Sequence, residues 1–184
     1  EVKDMLRIEV PISPEGWDEK KQEFVEPKTQ FLQLEHSLVS LSKWESKWHK
    51  PFLSREEKTI EETIDYIRCM TITQNVKPEV YDFLTDEKLN SIYDYIEDPM
   101  TAITFADNNQ RPSREVVTSE IIYHWIVSFN IPFECQKWHL NKLLAFIKVC
   151  CIKNTPPKKM TQAEIMRRNR EINEARKNKL NTTG

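Results

Sequence analysis

Val117, Ile121, Trp125 and Phe129 recur every four residues, and after a break at Asn130 to Pro132 a second set runs through Leu140, Leu143, Leu144, Ile147 and Cys151. Spacings of three and four place side chains on one face of an α-helix, so these segments predict two helices packed as the core hairpin. Leu34, Leu38, Leu41, Glu45 and Trp48 follow the same rule until Pro51 stops the helix. Ser54 with Glu57 reads as a capping box for a helix carrying Ile60, Ile64, Ile67 and Met70 on one apolar stripe. Pro78 opens a short turn, after which Thr85 caps a further helix to Asp98, with Leu84 and Leu89 as a hydrophobic staple. Residues 101–112 are polar and read as a surface loop.

The first thirty-six residues have another period. Leu6, Ile8 and Val10 alternate with Arg7 and Glu9, turn residues fill Pro11 to Gly16, and Phe24, Val25 and Phe31 to Leu34 resume extended character. The expected architecture is therefore mainly α (α+β): a small N-terminal β-hairpin or three-strand ribbon packed on a helical bundle. Such a ribbon is marginal alone and must lie on the helices or on another subunit. Met5 is a candidate natural start, which sets Glu1 to Asp4 outside this reasoning.

Two segments are expected: a ribbon-plus-helices domain over 5–155 and a separate helix over 156–184, opened by the stiff pair Pro156-Pro157. Thr161 with Glu164 forms a capping box, and Met160 with Ile165 a staple, for a helix to about Leu180. From Lys158 onward eight lysines and arginines meet three glutamates, so this stretch carries plus five and the remainder minus seven against a net charge of −2. Its apolar face is thin, essentially Ile165, Ile172 and Ala175 with Met166 beside them, so the helix is either solvated or packed by a partner.

Composition excludes several classes. With 39% hydrophobic and 30% charged residues the chain should fold as a globular protein. No stretch approaches the roughly 20 apolar residues of a membrane helix, and Glu1 to Val10 lacks a signal-peptide pattern, so a cytoplasmic location is expected. Only Gly16 and Gly184 are glycines, which excludes the glycine-rich loops that bring backbone amides against phosphates. Cys69, Cys135, Cys150 and Cys151 fit no disulfide framework and read as reduced thiols.

The residues that carry chemistry elsewhere have ordinary readings here. Cys135 and His139 stand four apart and would share a helical face if a helix began by Glu134, but a tetrahedral zinc site needs a second ligand pair. His124, beside Trp125, reads as a satisfied core histidine, and no histidine is placed by local sequence against a nucleophile. No catalytic site, metal site or cofactor is expected. The candidate partner-binding residues are Ile165, Arg167, Arg168, Arg170, Ile172 and Arg176 on the last helix, and Trp44 and Trp48, which are either core or an interface hot spot. Nucleic acid could meet the same arginines, but the tail lacks interleaved aromatics and the body is acidic.

The run Leu34 to Trp48 (LEHSLVSLSKWESKW), with Asp65 to Met70 (DYIRCM), Tyr95 to Ala102 (YIEDPMTA), Ile131 to Leu140 (IPFECQKWHL) and Pro156 to Met160 (PPKKM), resembles a group of small proteins of tailed bacteriophages infecting Gram-positive hosts. The resemblance spans nearly the whole chain from Met5, and size and helical pattern look like those of a tail assembly chaperone. It implies a non-enzymatic factor that coats the tape measure protein, recruits tail tube subunits and leaves the finished particle. A longer frameshifted product is often made by such families. A structural virion component, such as a connector or minor tail protein, and a nucleic-acid-binding regulator are the alternatives. Homo-oligomerisation is open.

Overall fold

A computed structural model describes residues 5–12, 16–18, 23–25, 28–105, 116–155 and 161–180. The chain divides into two compact units, Glu1–Cys150 and Cys151–Gly184. Most of the loop expected over 101–112 lies outside the described residues, as do Pro156, Pro157 and Met160.

Strands β1 (Leu6–Pro11) and β4 (Thr29–Leu34) pair antiparallel, with Leu6 opposite Leu34 and Ile8 opposite Leu32. Nested between them in sequence, β2 (Gly16–Asp18) pairs with β3 (Glu23–Val25). The alternation acts as expected: Ile8, Val10, Leu32 and Leu34 are buried, while Arg7 and Glu9 are exposed. The outer face is also organised, with the Arg7 guanidinium 4.3 Å from the centroid of the half-exposed Phe31 ring.

Helices dominate the remainder: α1 (Leu38–Trp48), α2 (Ile60–Met70), α3 (Asp86–Glu97), α4 (Ser119–Ser128), α5 (Leu140–Asn154) and α6 (Gln162–Leu180), with 3-10 turns at Pro78–Phe83 and Phe133–Lys137. Leu34 belongs to β4, and α1 starts only after a capping box between Ser37 and Ser40. The cap expected at Ser54 is displaced to Thr59, whose amide donates to Glu62 Oε2 at 2.8 Å while the Glu62 amide donates to Thr59 Oγ1 at 3.2 Å. Thr85 is the N-cap of α3 without a side-chain bond, and Leu84 and Leu89 pack beside the core.

Two helices are rotated from the expected faces. In α2 the buried side is Glu62, Asp65, Tyr66, Ile67 and Met70, which leaves Ile60 85% exposed at the first turn. Polar partners set this rotation: the Trp44 indole donates to the Glu62 carbonyl at 2.9 Å, and Asp65 receives both Lys47 and the Trp48 indole. In α4 the buried residues are Ser119, Ile122 and Ile126, while Val117, Ile121, Trp125 and Phe129 are half-buried flanks. A helix apolar on nearly every side offers no phase for periodicity to choose. His124 is exposed and lies 3.3 Å from Ser128 Oγ, and Cys151 is exposed on α5, so neither is the core residue expected.

Two apolar clusters form the body. The first joins the β1 and β4 side chains to Trp44, Tyr66, Ile67, Met70, Val80, Tyr81, Ile92 and Tyr95. The second joins Leu38 and Leu41 to Ile122, Ile126, Ile131, Cys135, Leu140, Leu143 and Ile147. Helix α1 supplies both, and Phe52 in the turn after it packs on both. Glu45, 7% exposed, crosses this seam: Oε1 accepts from the Phe52 amide at 2.8 Å and Oε2 from the Ser119 amide at 2.7 Å, at the N-terminus of α4. Truncation would leave two amides without their acceptor, each worth about 1–3 kcal/mol if it stays dry. Glu45→Ala should therefore unfold at clearly lower denaturant than Glu45→Gln, measured by equilibrium urea titration.

Candidate functional site

Helix α6 begins as its capping box dictates, with the Thr161 amide donating to Glu164 Oε2 at 2.8 Å and the Glu164 amide to Thr161 Oγ1 at 3.3 Å. The Thr161 backbone bond holds the Glu164 carboxyl below its usual range. None of the nineteen residues of α6 is buried, and Ile165 and Ile172 are 45% and 38% exposed. Seven residues apart, they stand about 10 Å from one another along one face.

At 100° per residue that face also receives Arg168, Asn169, Arg176 and Lys179. Arg167 and Arg170 fall on the opposite half with Glu174, and Arg167 Nε lies 3.8 Å from Glu171 Oε1 in an exposed pair of little energetic weight. The candidate arginines thus divide into two sets. Arg168 and Arg176 share a face with the isoleucines, with Glu164 and Glu171 along the edge next to Arg168; Arg167 and Arg170 do not.

The tryptophans separate from this surface. Trp44 is 1% exposed, its ring stacked at 6.1 Å on Trp48 and edge-on at 5.1 Å to Phe52. Its indole is fully engaged inside the first cluster, so Trp44 is a core residue and not a contact for a partner. Trp48 is half-buried, with its N–H donated to Asp65 at 2.9 Å.

Sequence reasoning missed a buried polar cluster, because its members lie far apart in the chain. His36 and His139 are 2% and 0% exposed, with ring centroids 5.0 Å apart. The Tyr66 hydroxyl and His36 Nδ1 share a hydrogen bond of 2.6 Å, the His36 amide donates to the Tyr95 hydroxyl at 3.2 Å, and His139 Nε2 donates to the Tyr95 carbonyl at 2.9 Å. Closed to solvent, these groups bind the segment before α1 to α2, α3 and α5. Cys135, expected on one helical face with His139, instead lies in the 3-10 turn before α5 begins, and burial pushes its thiol up. Among the described residues no group of three or more His, Cys, Asp and Glu is placed to hold a metal ion.

A cleft of about 480 Å³ opens between the end of α1 and the start of α4, lined by Glu45, Ser46, His49, Lys50, Pro51, Thr118 and Glu120. Its charges already have partners in the fold. Lys50 pairs with Glu62 at 2.6 Å, Glu45 holds its two amides, and Thr118 keeps the Glu120 carboxyl below its usual range. The exposed face of α6 is the stronger candidate for function. No protein-family model, curated protein or solved structure matches the chain. Among the described residues no helix is long and apolar enough to cross a membrane.

Two expectations follow. Burial, with His139 beside it, pushes His36 down from 6.5 to about 3. Unfolded His36 takes up a proton below about pH 6.5 and folded His36 only near 3, so its contribution is complete above 6.5 and is lost as pH falls from there toward 3. Its share of the acid slope should be about 1.4 kcal/mol per pH unit, and His36→Gln should flatten the pH 6.5 to 4 stability profile by that amount in urea titrations. Ile165→Asp with Ile172→Asp should leave the body's melting temperature within about 2 °C, since exposed positions carry little packing. A large drop would place α6 in the core.

Proposed function

We propose that this chain is a non-enzymatic assembly factor of tailed bacteriophages, of the tail assembly chaperone type, which binds the tape measure protein and helps to recruit tail tube subunits. The resemblance across Leu34 to Trp48 and the four shorter segments supports the class. The observation that carries a binding role is the exposed isoleucine face of α6, flanked by Arg168, Arg176 and Lys179. A long helical partner offers repeated grooves to such a helix, read through anchors one or two turns apart. This reading places the protein in the cytoplasm of the bacterial host and outside the finished particle.

The test is co-expression with the tape measure protein encoded beside it, followed by affinity capture and assay of tape measure solubility. The wild-type chain should retain the partner in the soluble fraction, and Ile165→Asp with Ile172→Asp should lower recovery at least about tenfold, as expected when two central anchors are lost. An undiminished yield with that variant sinks α6 as the docking element. Recovery of the chain in stoichiometric amount from purified particles would favour a connector or minor tail protein. Steeply salt-dependent DNA binding lost with the α6 arginines would favour a regulator.

A further inference from the structure

Strand β1 has β4 on one side and, among the described residues, no strand on the other. The Ile12 amide donates to the Lys28 carbonyl at 2.7 Å, and this register makes the even-numbered residues of β1 those that bond to β4. The amides of Arg7 and Glu9, and the carbonyls of Arg7, Glu9 and Pro11, therefore point away from β4, and among the described residues no bond to them is formed. The corresponding outer edge of β4 is occupied. There the Gln33 amide donates to Thr73 Oγ1 at 2.8 Å, and its carbonyl accepts from the Ile72 amide at 2.9 Å.

A row of such backbone groups is a template for a further strand, and charged side chains beside it decide which strand is accepted. Arg7 and Glu9 are exposed on the outer face of the sheet, where Arg7 lies over the Phe31 ring and Glu9 accepts from Thr29 Oγ1. Their order, a cation and then an anion two residues on, is self-complementary for an antiparallel copy of the same strand. Only outward-bonding residues can form hydrogen-bonded pairs across the new seam, so few registers are available. Centred on Arg7, cation faces cation, and centred on Glu9, anion faces anion. Centred on Ile8, each Arg7 faces Glu9 of the other copy.

We propose that two copies of this chain join through β1, antiparallel about a two-fold axis at Ile8, into one sheet of order β4-β1-β1-β4. Arg7 of each copy exchanges both backbone bonds with Glu9 of the other, and the two side chains form a cross-strand ion pair on the outer face. Pro11 has no N–H to donate and ends the ladder, its carbonyl accepting from the Met5 amide of the other copy. Such a contact is isologous, so it closes at a dimer. Only β1 and β4 enter it, and it holds or fails independently of α6 and of the phage reading.

The experiment is sedimentation velocity of the purified full chain over a concentration series, with hydrogen exchange of the β1 amides followed alongside. A monomer–dimer equilibrium without larger species is expected, and the Arg7 and Glu9 amides should gain protection as the dimer forms. Arg7→Glu and Glu9→Arg, each alone, should weaken dimerisation at least about tenfold, because both symmetry-related pairs turn from opposite to like charge. An equimolar mixture of these two variants should dimerise again, as should the double variant Arg7→Glu with Glu9→Arg, since each restores opposite charges across the seam. The proposal is overturned if the wild type stays monomeric at every concentration, if it dimerises without protecting the Arg7 and Glu9 amides, or if the single reversals leave the dimer intact. It also fails if neither the mixture nor the double variant dimerises.

Discussion

Glu45 reaches from α1 to two backbone amides, those of Phe52 and Ser119, and both apolar clusters of the body come together at the helix that carries it. The Glu45 carboxyl sits at the first turn of α4, where backbone N–H groups lack partners within the helix and need an acceptor. Apolar contact is not directional, whereas two charge-assisted hydrogen bonds fix both the turn after α1 and the start of α4. The left-handed His49, which closes α1 by donating its amide to the Glu45 carbonyl, makes the same residue the exit of the helix.

The segment before α1 plays a comparable part with neutral groups. Its backbone pairs on two sides, the Glu35 amide with the Met70 carbonyl at 2.9 Å and the Leu140 amide with the His36 carbonyl at 2.8 Å. The histidine and tyrosine side chains add hydrogen bonds in the buried space between α2, α3 and α5. A buried polar network of this kind favours one arrangement, because alternative packing strands further donors or acceptors.

Local signals were readable wherever one residue type has one physical use. The alternation of Leu6, Ile8 and Val10, the Thr161 to Glu164 cap and the α5 stripe of Leu140, Leu143 and Ile147 all act as their spacing requires. Rotation about the helix axis was not readable in α2 and α4, since it is set by bonds to distant residues: the Trp44 indole to Glu62, and Glu45 to Ser119. The displaced cap at Thr59 shows the same limit, as Ser54 and Thr59 each have a glutamate three residues on and only packing separates them. For the candidate surface, the sequence offered six residues on α6, and helical geometry places Arg168 and Arg176 on the isoleucine side and Arg167 and Arg170 on the other. The Trp44 core role and the histidine cluster needed tertiary contacts to be seen.

Helix α6 differs from every other helix here in having no buried side chain to hold its conformation. Its order rests on a capping box, propensity and i,i+4 pairs, each a matter of tenths of a kcal/mol to about one. Nineteen residues supported in this way lie close to the helix–coil balance point, so heat shifts the population of the formed helix well before it disturbs the body. Any recognition through the isoleucine face then includes the entropy of completing the helix, and its strength becomes a thermometer of α6 itself: cooling sharpens the contact and warming releases it.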